Sequence, residues 1–311
     1  MTNSRIDTTN IDLLIATDWL YDQEFVQLVK GKAEALDLSV LLVTQENLPE
    51  TITDLQNNRL RVKVLFDRAS DTSDEFYPIQ RLGANQMHII APLERMRWAS
   101  DKATMHLEFI ANGLQTPYTI IIDSFNNVKN IHLSTDDLAH LGRPFIIKPA
   151  NTTGGGMGVV DGAETLHDVL VSRRRFKSDK YLLQEKVKPL IVGDKRYWFR
   201  CFYSFGLAQC VWWDDITHEY SKLDAEEVTA YHLNALFSIT HTIREICGLN
   251  FFSTEICVTP EHRFVVVDYV NEACDMRLQS SHVNGVPDAI VDAIADRICS
   301  HVAAMVKRRI S

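Results

Sequence analysis

Lys148-Pro149-Ala150-Asn151-Thr152-Thr153-Gly154-Gly155-Gly156-Met157-Gly158-Val159-Val160 is the most specific stretch of this chain. An apolar run, Phe145-Ile146-Ile147, ends in a lysine and enters a loop with four glycines in five residues. Glycine lacks a Cβ, so backbone N–H groups can close around an anion, and the lysine adds a point charge. The stretch is not a Walker loop, because no Gly-Lys-Ser or Gly-Lys-Thr occurs in it. It is not a dinucleotide fingerprint either, because no Gly-x-Gly-x-x-Gly opens a helix. By itself it reads equally as a phosphate-closing loop and as a flexible hairpin.

Upstream, apolar runs at 11–16 and 39–43 flank a helical stretch, FVQLVKGKAEAL, and a third run follows at 62–67. Strand, helix and strand at this spacing predict a βαβ unit, so an α/β domain opens the chain. The polar turn Asp67-Arg68-Ala69-Ser70-Asp71-Thr72 follows the third run. Loops at strand C-termini often face ligands in such sheets, but a plain surface loop is the commoner use. Residues 99–112 read as a helix with Ser100 as N-cap, Asp101 in the first turn and Gly113 as its stop. A strand, TIII, follows Thr119, a helix starts at Ser134-Thr135-Asp136-Asp137, and 164–171 is helical. The basic run Arg173-Arg174-Arg175 reads as a solvated helix end.

Downstream, Tyr181–Val187 is a strand, and a loop passes through Gly193. The run RYWFRCFYSFGLAQCVWW, 196–213, alternates as a hairpin turning near Ser204-Phe205-Gly206. Residues 226–248 carry a helical period ending at Gly248. The strands FFSTEICV and RFVVVDYV are joined by Thr259-Pro260-Glu261-His262, and an amphipathic helix from Asp288 to Lys307 closes the chain.

At 311 residues the chain has room for about two domains and folds without disulfide or metal staples. Its 46% hydrophobic and 23% charged residues argue against a disordered or fibrous chain. The net charge of −9 argues against nucleic-acid coating, without forbidding a local basic pocket. Six cysteines, all beyond residue 200 and none spaced as Cys-x-x-Cys, exclude zinc-ribbon and thioredoxin signatures. The start, MTNSRIDTTNIDLLIA, lacks the basic-then-apolar order of a signal peptide. No apolar run approaches the roughly 20 residues of a membrane span. The expectation is a cytoplasmic chain with no membrane and no nucleic-acid partner. No His-x-x-x-His or Gly-x-Ser-x-Gly supports zinc or serine-nucleophile catalysis.

The order of the remaining features gives the glycine loop its meaning. Asp101-Lys102 begins a helix, and Gly113 to Thr119 reads Gly-x-x-x-Pro-x-Thr. Next come the Lys148 strand and its loop, Leu183-Gln184-Glu185-Lys186-Val187, and Gly193-Asp194-Lys195-Arg196. Glu255 stands on one late strand, and Asp268 and Asn271 on the next. This succession resembles the ATP-grasp superfamily of D-alanine–D-alanine ligases, glutathione synthetases and ribosomal-protein glutamate ligases, over roughly residues 60–285.

The resemblance implies an α/β (α+β) ATP-grasp fold: an N-terminal α/β pre-ATP-grasp domain over 1–95, a central lobe over 96–184 and a C-terminal lobe over 185–311. The two lobes would clamp ATP. Lys102 and Lys148 would hold the phosphates, and Thr153, Gly154, Gly155, Gly156, Met157 and Gly158 would close over them. Gln184, Glu185, Lys186 and Val187 would form the hinge that reads the adenine edge, largely through backbone groups. Asp194 and Arg196 match an acidic-x-arginine pair, with Arg200 further along the strand. Arg196 or Arg200 would neutralise the transferred phosphate or bind the substrate carboxylate, and Arg277 would bind the carboxylate. Glu255, Asp268 and Asn271 match a Mg2+ site.

Two departures stand out. The family writes the last pair as Glu-x-Asn, which puts both side chains on one strand face. Asp268-Tyr269-Val270-Asn271 adds a residue, so both reach one metal only if the strand bulges or ends there. Otherwise Glu272 or Asp275 would substitute. In place of the family's Arg-rich stretch, the chain has Trp212-Trp213-Asp214-Asp215-Ile216-Thr217-His218-Glu219, which suits a cationic acceptor or a solvent-facing loop. The implied activity joins a carboxylate, activated as an acyl phosphate, to an amine or thiol. The alternatives are a small-molecule kinase on the same fold and a nucleotide-binding scaffold without turnover. Small-molecule carboxylate and amine substrates are the expected partners, with a homodimer left open.

Overall fold

The computed structural model describes residues 8–151 and 156–308. Four strands, β1 (Thr9–Thr17), β2 (Val40–Val43), β3 (Leu60–Arg68) and β4 (His88–Ile90), form a parallel sheet in the order β2-β1-β3-β4. Leu13–Ala16 and Val64–Phe66 are buried without alternation, as parallel strands covered on both faces must be. Helices α1 (Gln23–Glu34), α2 (Leu48–Gln56) and α3 (Tyr77–Gly83) lie between these strands in the chain.

The turn after β3 is not a plain surface loop. Asp67 is buried and accepts hydrogen bonds from the N–H groups of Ala69 and Ser70, each at 2.9 Å, and from Gln80 Nε2 at 2.6 Å. Arg68 pairs with the fully buried Asp22 through two bonds of 2.6 and 2.7 Å, and its Nη2 donates to the Cys274 carbonyl at 2.9 Å. Polar composition suggested solvation. These groups are instead inside because they satisfy one another, as buried polar groups must.

Helices α4 (Leu93–Ser100) and α5 (Lys102–Ala111) meet at Asp101. Asp101, not Ser100, caps α5: its carboxylate accepts the Thr104 N–H at 2.8 Å. Ser100 still belongs to the preceding helix, so only the next residue has the extended backbone that a cap needs.

Strands β5 (Thr119–Ile122), β6 (Phe145–Pro149), β7 (Val160–Ala163) and β8 (Tyr181–Glu185) form an antiparallel sheet in the order β5-β8-β6-β7. It carries α6 (Thr135–Leu141) and α7 (Leu166–Ser172), each opened by a capping box, Ser134 with Asp137 and Thr165 with Asp168. Arg173 departs from the solvated helix end that was expected. It is buried, and its Nη2 donates to the carbonyls of Asp123 and Val128 at 2.6 and 2.8 Å, while Arg174 and Arg175 are exposed.

After the short strands β9 (Ile191–Val192) and β10 (Lys195–Arg196) comes a second antiparallel sheet. Its members are β11 (Trp198–Ser204), β12 (Leu207–Trp213), β13 (Tyr220–Ser221), β14 (Phe251–Val258) and β15 (Phe264–Asn271), in the order β13-β12-β11-β14-β15. The β11–β12 turn is Phe205-Gly206, both at positive φ (43° and 92°), the backbone that a two-residue hairpin requires. The single helix expected over 226–248 is two, α8 (Ala225–Ala230) and α9 (Ala235–Cys247). The break, with His232 at φ 56°, buries Leu233 in the same apolar cluster as Leu236 and Ile243.

The two faces of this sheet meet different neighbours. Phe199, Cys201 and Tyr203 share a core with α4, α5 and α9. Phe202 and Phe251 share another with β1, α1 and the closing helix α10 (Asp288–Arg308), so the end of the chain returns to the first sheet. The 95/96 division expected from sequence therefore falls inside α4, which packs with the five-stranded sheet.

Candidate active site

The period of two along β11 sends Trp198, Arg200 and Phe202 to the face opposite Phe199 and Cys201. Arg200 lies directly across from Glu255 on β14, and Glu255 across from Asp268 on β15. One row of three neighbouring strands is therefore Arg200–Glu255–Asp268. Arg200 Nη1 pairs with Glu255 Oε1, and Trp198 Nε1 donates to Glu255 Oε2 at 3.1 Å.

Strict alternation from Val265 and Val267 would carry Asp268 to the apolar face. Two register shifts between β14 and β15, either side of the Glu255–Asp268 pair, prevent this. The first brings Asp268 onto the charged row, and the second brings Asn271 round opposite Ser253. Asn271 Nδ2 donates to Asp268 Oδ2 at 2.7 Å. Bulges leave backbone groups unpaired, and side chains take them up here. The Val267 carbonyl accepts Lys148 Nζ at 3.2 Å, and the Asp268 carbonyl accepts Thr254 Oγ1 at 2.9 Å.

These residues line a cavity of about 570 Å³ between the central sheet and the five-stranded sheet. Lys102, Lys148, Arg200, Glu255, Asp268, Asn271 and Arg277 border it, as do Gly156, Met157, Lys186 and Val187. Gly158 sits beside it at φ 78°, where a Cβ would meet the Phe176 ring at 2.5 Å, so glycine is required on both counts. Thr153, Gly154 and Gly155 lie outside the described residues.

Charge is unevenly held. Burial alone would raise Asp268, but Lys102, Lys148 and Arg200 hold it down to about 2, so it stays ionised. Burial and the neighbouring Asp268 push Glu255 up against the pull of Arg200. Burial lowers the Lys148 ammonium, opposed by Asp268 and Glu255.

Other residues singled out in the sequence stand elsewhere. Gln184 is not on the cavity wall. It is buried, and its Nε2 donates to Thr119 Oγ1 at 3.0 Å and to the Tyr269 hydroxyl at 2.8 Å. That hydroxyl also shares a 2.7 Å hydrogen bond with His106 Nδ1. Glu185 is spent on the chain as well, accepting the Tyr118 N–H at 2.8 Å. Asp194 and Arg196 border a second cavity of about 420 Å³, which adjoins the first at Trp213 and Tyr220. Arg196 is held there by Asp215 through bonds of 2.6 and 2.8 Å. Arg196 and Arg200 share a parity, but the chain breaks strand at Tyr197, and only Arg200 joins the charged row. Arg277 reaches the larger cavity already paired, its Nε donating to Asp275 Oδ1 at 3.0 Å and its Nη2 to Oδ2 at 2.5 Å.

Sequence reasoning passed over Trp198, Asp161 and Asn284, which also line the cavity. Trp198 was legible in principle, two residues before Arg200 on one strand face. Asp161, which pairs with Lys186 at 2.8 Å, carries no local signal.

No family model matches the chain, and no curated protein matches it. Solved structures do. A RimK domain ATP-grasp protein from Sphaerobacter thermophilus superposes with a TM-score of 0.63 at 16% identity, covering 94% of this chain and 99% of that one. D-alanine–D-alanine ligase from Bacillus anthracis, complexed with ATP, gives 0.63 at 13% identity over 95% and 96%. The ATP-grasp ligase PsnB, complexed with a minimal precursor, Mg and ADP, gives 0.61 at 11% over 95% and 98%. The chain has the ATP-grasp fold.

Proposed function

We propose that this chain is an ATP-dependent ligase that activates a carboxylate as an acyl phosphate and joins it to an amine. The observation that carries the reading is the charged row. Arg200, Glu255 and Asp268, with Asn271 brought alongside by the second bulge, share one cavity with Lys102 and Lys148. Hard oxygen donors beside two lysines fit a magnesium nucleotide, since Mg2+ takes one or two carboxylates plus substrate phosphates. Glu255, Asp268 and the Asn271 amide would hold the metal, which when bound would neutralise phosphate charge. The fold supports the same reading, with the central and five-stranded sheets as the two halves of a clamp and the N-terminal sheet as a third unit.

The chain's own groups have distinct tasks in this reading. Lys102 and Lys148 bind and orient the phosphates, Arg200 offsets charge on the phosphoryl group in transfer, and the glycine loop excludes water from the acyl phosphate. The irregular Asp268-to-Asn271 spacing, which favoured a scaffold without turnover, coincides with two register shifts, and this supports the ligase reading over the scaffold.

The test is a screen of amino acids, other carboxylates and amines with ATP and Mg2+. The expected result is ADP and free phosphate only when a carboxylate and an amine are both present. ADP without free phosphate would identify a kinase instead. Magnesium-dependent ATP binding without products across the panel would identify a scaffold.

A further inference from the structure

The loop between β12 and β13 carries the one imidazole that lines the larger cavity among the described residues, His218. Its backbone is left-handed, with φ 62°, which is uncommon without glycine and gathers at functional sites. The loop over-determines that conformation. His218 N donates to the Asp214 carbonyl at 2.9 Å, and the Asp214 carboxylate accepts the N–H groups of Ile216 and Thr217 at 2.8 and 2.7 Å. The ring stacks on Trp213, with centroids 5.2 Å apart and planes 12° apart. Trp213 in turn faces Arg200, whose guanidinium carbon is 5.9 Å from its ring. His218 thus stands one aromatic ring from the charged row. Neither ring nitrogen has a hydrogen-bond partner among the described residues.

Apart from Lys102, which the ligase reading gives to the phosphates, the other charged side chains at or beside the cavity are engaged, with Lys148 Nζ on the Val267 carbonyl. Glu255 holds Arg200 and Trp198, Asp268 holds Asn271, Asp161 holds Lys186, Asp215 holds Arg196 and Asp275 holds Arg277. Burial pushes the Tyr220 phenol up to about 12, so it stays protonated. Its own loop carries Asp214, Asp215 and Glu219, and the cavity it lines is also bordered by Tyr220 on β13, Arg200 on β11 behind Trp213, and Asp275 and Arg277 after β15.

We propose that His218 is the general base of the amide-forming step, an inference that rests on the ligase reading above. The lone pair of a neutral amine attacks the acyl carbonyl carbon, the C–N bond forms, and the bond from that carbon to the phosphate oxygen breaks. The proton shed by nitrogen passes to the free imidazole nitrogen and then to the departing phosphate. Acyl phosphate and amine thus give amide and hydrogen phosphate, with the imidazole regenerated.

The two half-reactions separate this role from binding or folding. Hydroxylamine is a reactive neutral nucleophile that traps acyl phosphates as hydroxamates without needing a base. His218→Asn keeps a side chain that tolerates left-handed backbone. In that variant, hydroxamate formation with ATP, Mg2+ and the accepted carboxylate should stay within about threefold of the wild type, while amide formation with the accepted amine falls about 100-fold. Added imidazole should restore part of the amide-forming rate in His218→Gly. Equal loss of both half-reactions, or unchanged amide formation, overturns the role. A wild type that forms no hydroxamate with any carboxylate overturns the ligase reading, and this role with it.

Discussion

The two faces of the five-stranded sheet are built from alternate residues of the same strands, yet they do opposite things. Toward α5 and α9 the sheet presents Phe199, Cys201, Phe252 and Ile256, all fully buried in an apolar layer. Toward the cavity it presents Arg200, Glu255 and Asp268, three charges in one row. The contrast teaches that the charged face depends on the apolar one. Buried charges cost several kcal/mol unless paired and held, and a rigid, close-packed layer behind the strands fixes their positions.

The contrast breaks most sharply at Asp268. Asp268→Asn preserves shape, and turnover should fall on the order of 1,000-fold. Its ATP affinity, read by calorimetry, should fall less than in Lys148→Ala. Wild-type turnover in Asp268→Asn would remove the row from the chemistry.

On the apolar face the expected loss is of stability. Phe199 is fully buried, with its ring centroid 4.5 Å from that of Trp212. Phe199→Ala should cost about 3–5 kcal/mol in urea unfolding, while the turnover of the folded fraction is retained. A variant that unfolds like the wild type would show that the layer carries little.

His106 sharpens the comparison, because it is a titratable group on the α5 side, buried against Tyr269. Burial lowers it to about 4. The unfolded chain, with a histidine near 6.5, therefore binds the proton first as pH falls. His106's contribution to stability is present above about 6.5 and is lost as pH drops through its folded value, amounting to about 3 kcal/mol. The stability difference between the wild type and His106→Gln should shrink by about that much from pH 7 to pH 4. A difference independent of pH would mean that His106 is not held neutral.

The smallest effect belongs to Arg196, outside the row. Arg196→Met should change turnover less than about threefold, against a large loss in Arg200→Met. Equal losses would return Arg196 to the site.

Much of this was legible in the chain. Apolar runs and the helical period between them marked the parallel sheet, and the Ser204-Phe205-Gly206 turn was readable from alternation on both sides. Lys148 and its glycine loop stood out because that chemistry is local. Asp67, Arg68 and Arg173 misled, since polarity reports that a residue needs partners and not whether water or protein supplies them. For Gln184 and Glu185 the motif gives order along the chain and a hinge acting largely through backbone groups, while only the fold shows that their side chains turn toward Tyr269, Thr119 and Tyr118.

By itself, the sequence determined the periods, the turns, the opening α/β unit and the residue types able to meet a phosphate and a metal, because each depends on neighbours a few positions away, while the fold class came from the resemblance in motif order. Only the tertiary structure decided which face Asp268 and Asn271 occupy and that Arg200, not Arg196, joins Glu255. It also decided that His218 stands at the cavity, with neither ring nitrogen hydrogen-bonded among the described residues. Those outcomes depend on strand register and on bulges, which are set by packing between segments far apart in the chain. A single inserted residue reverses the face of everything beyond it.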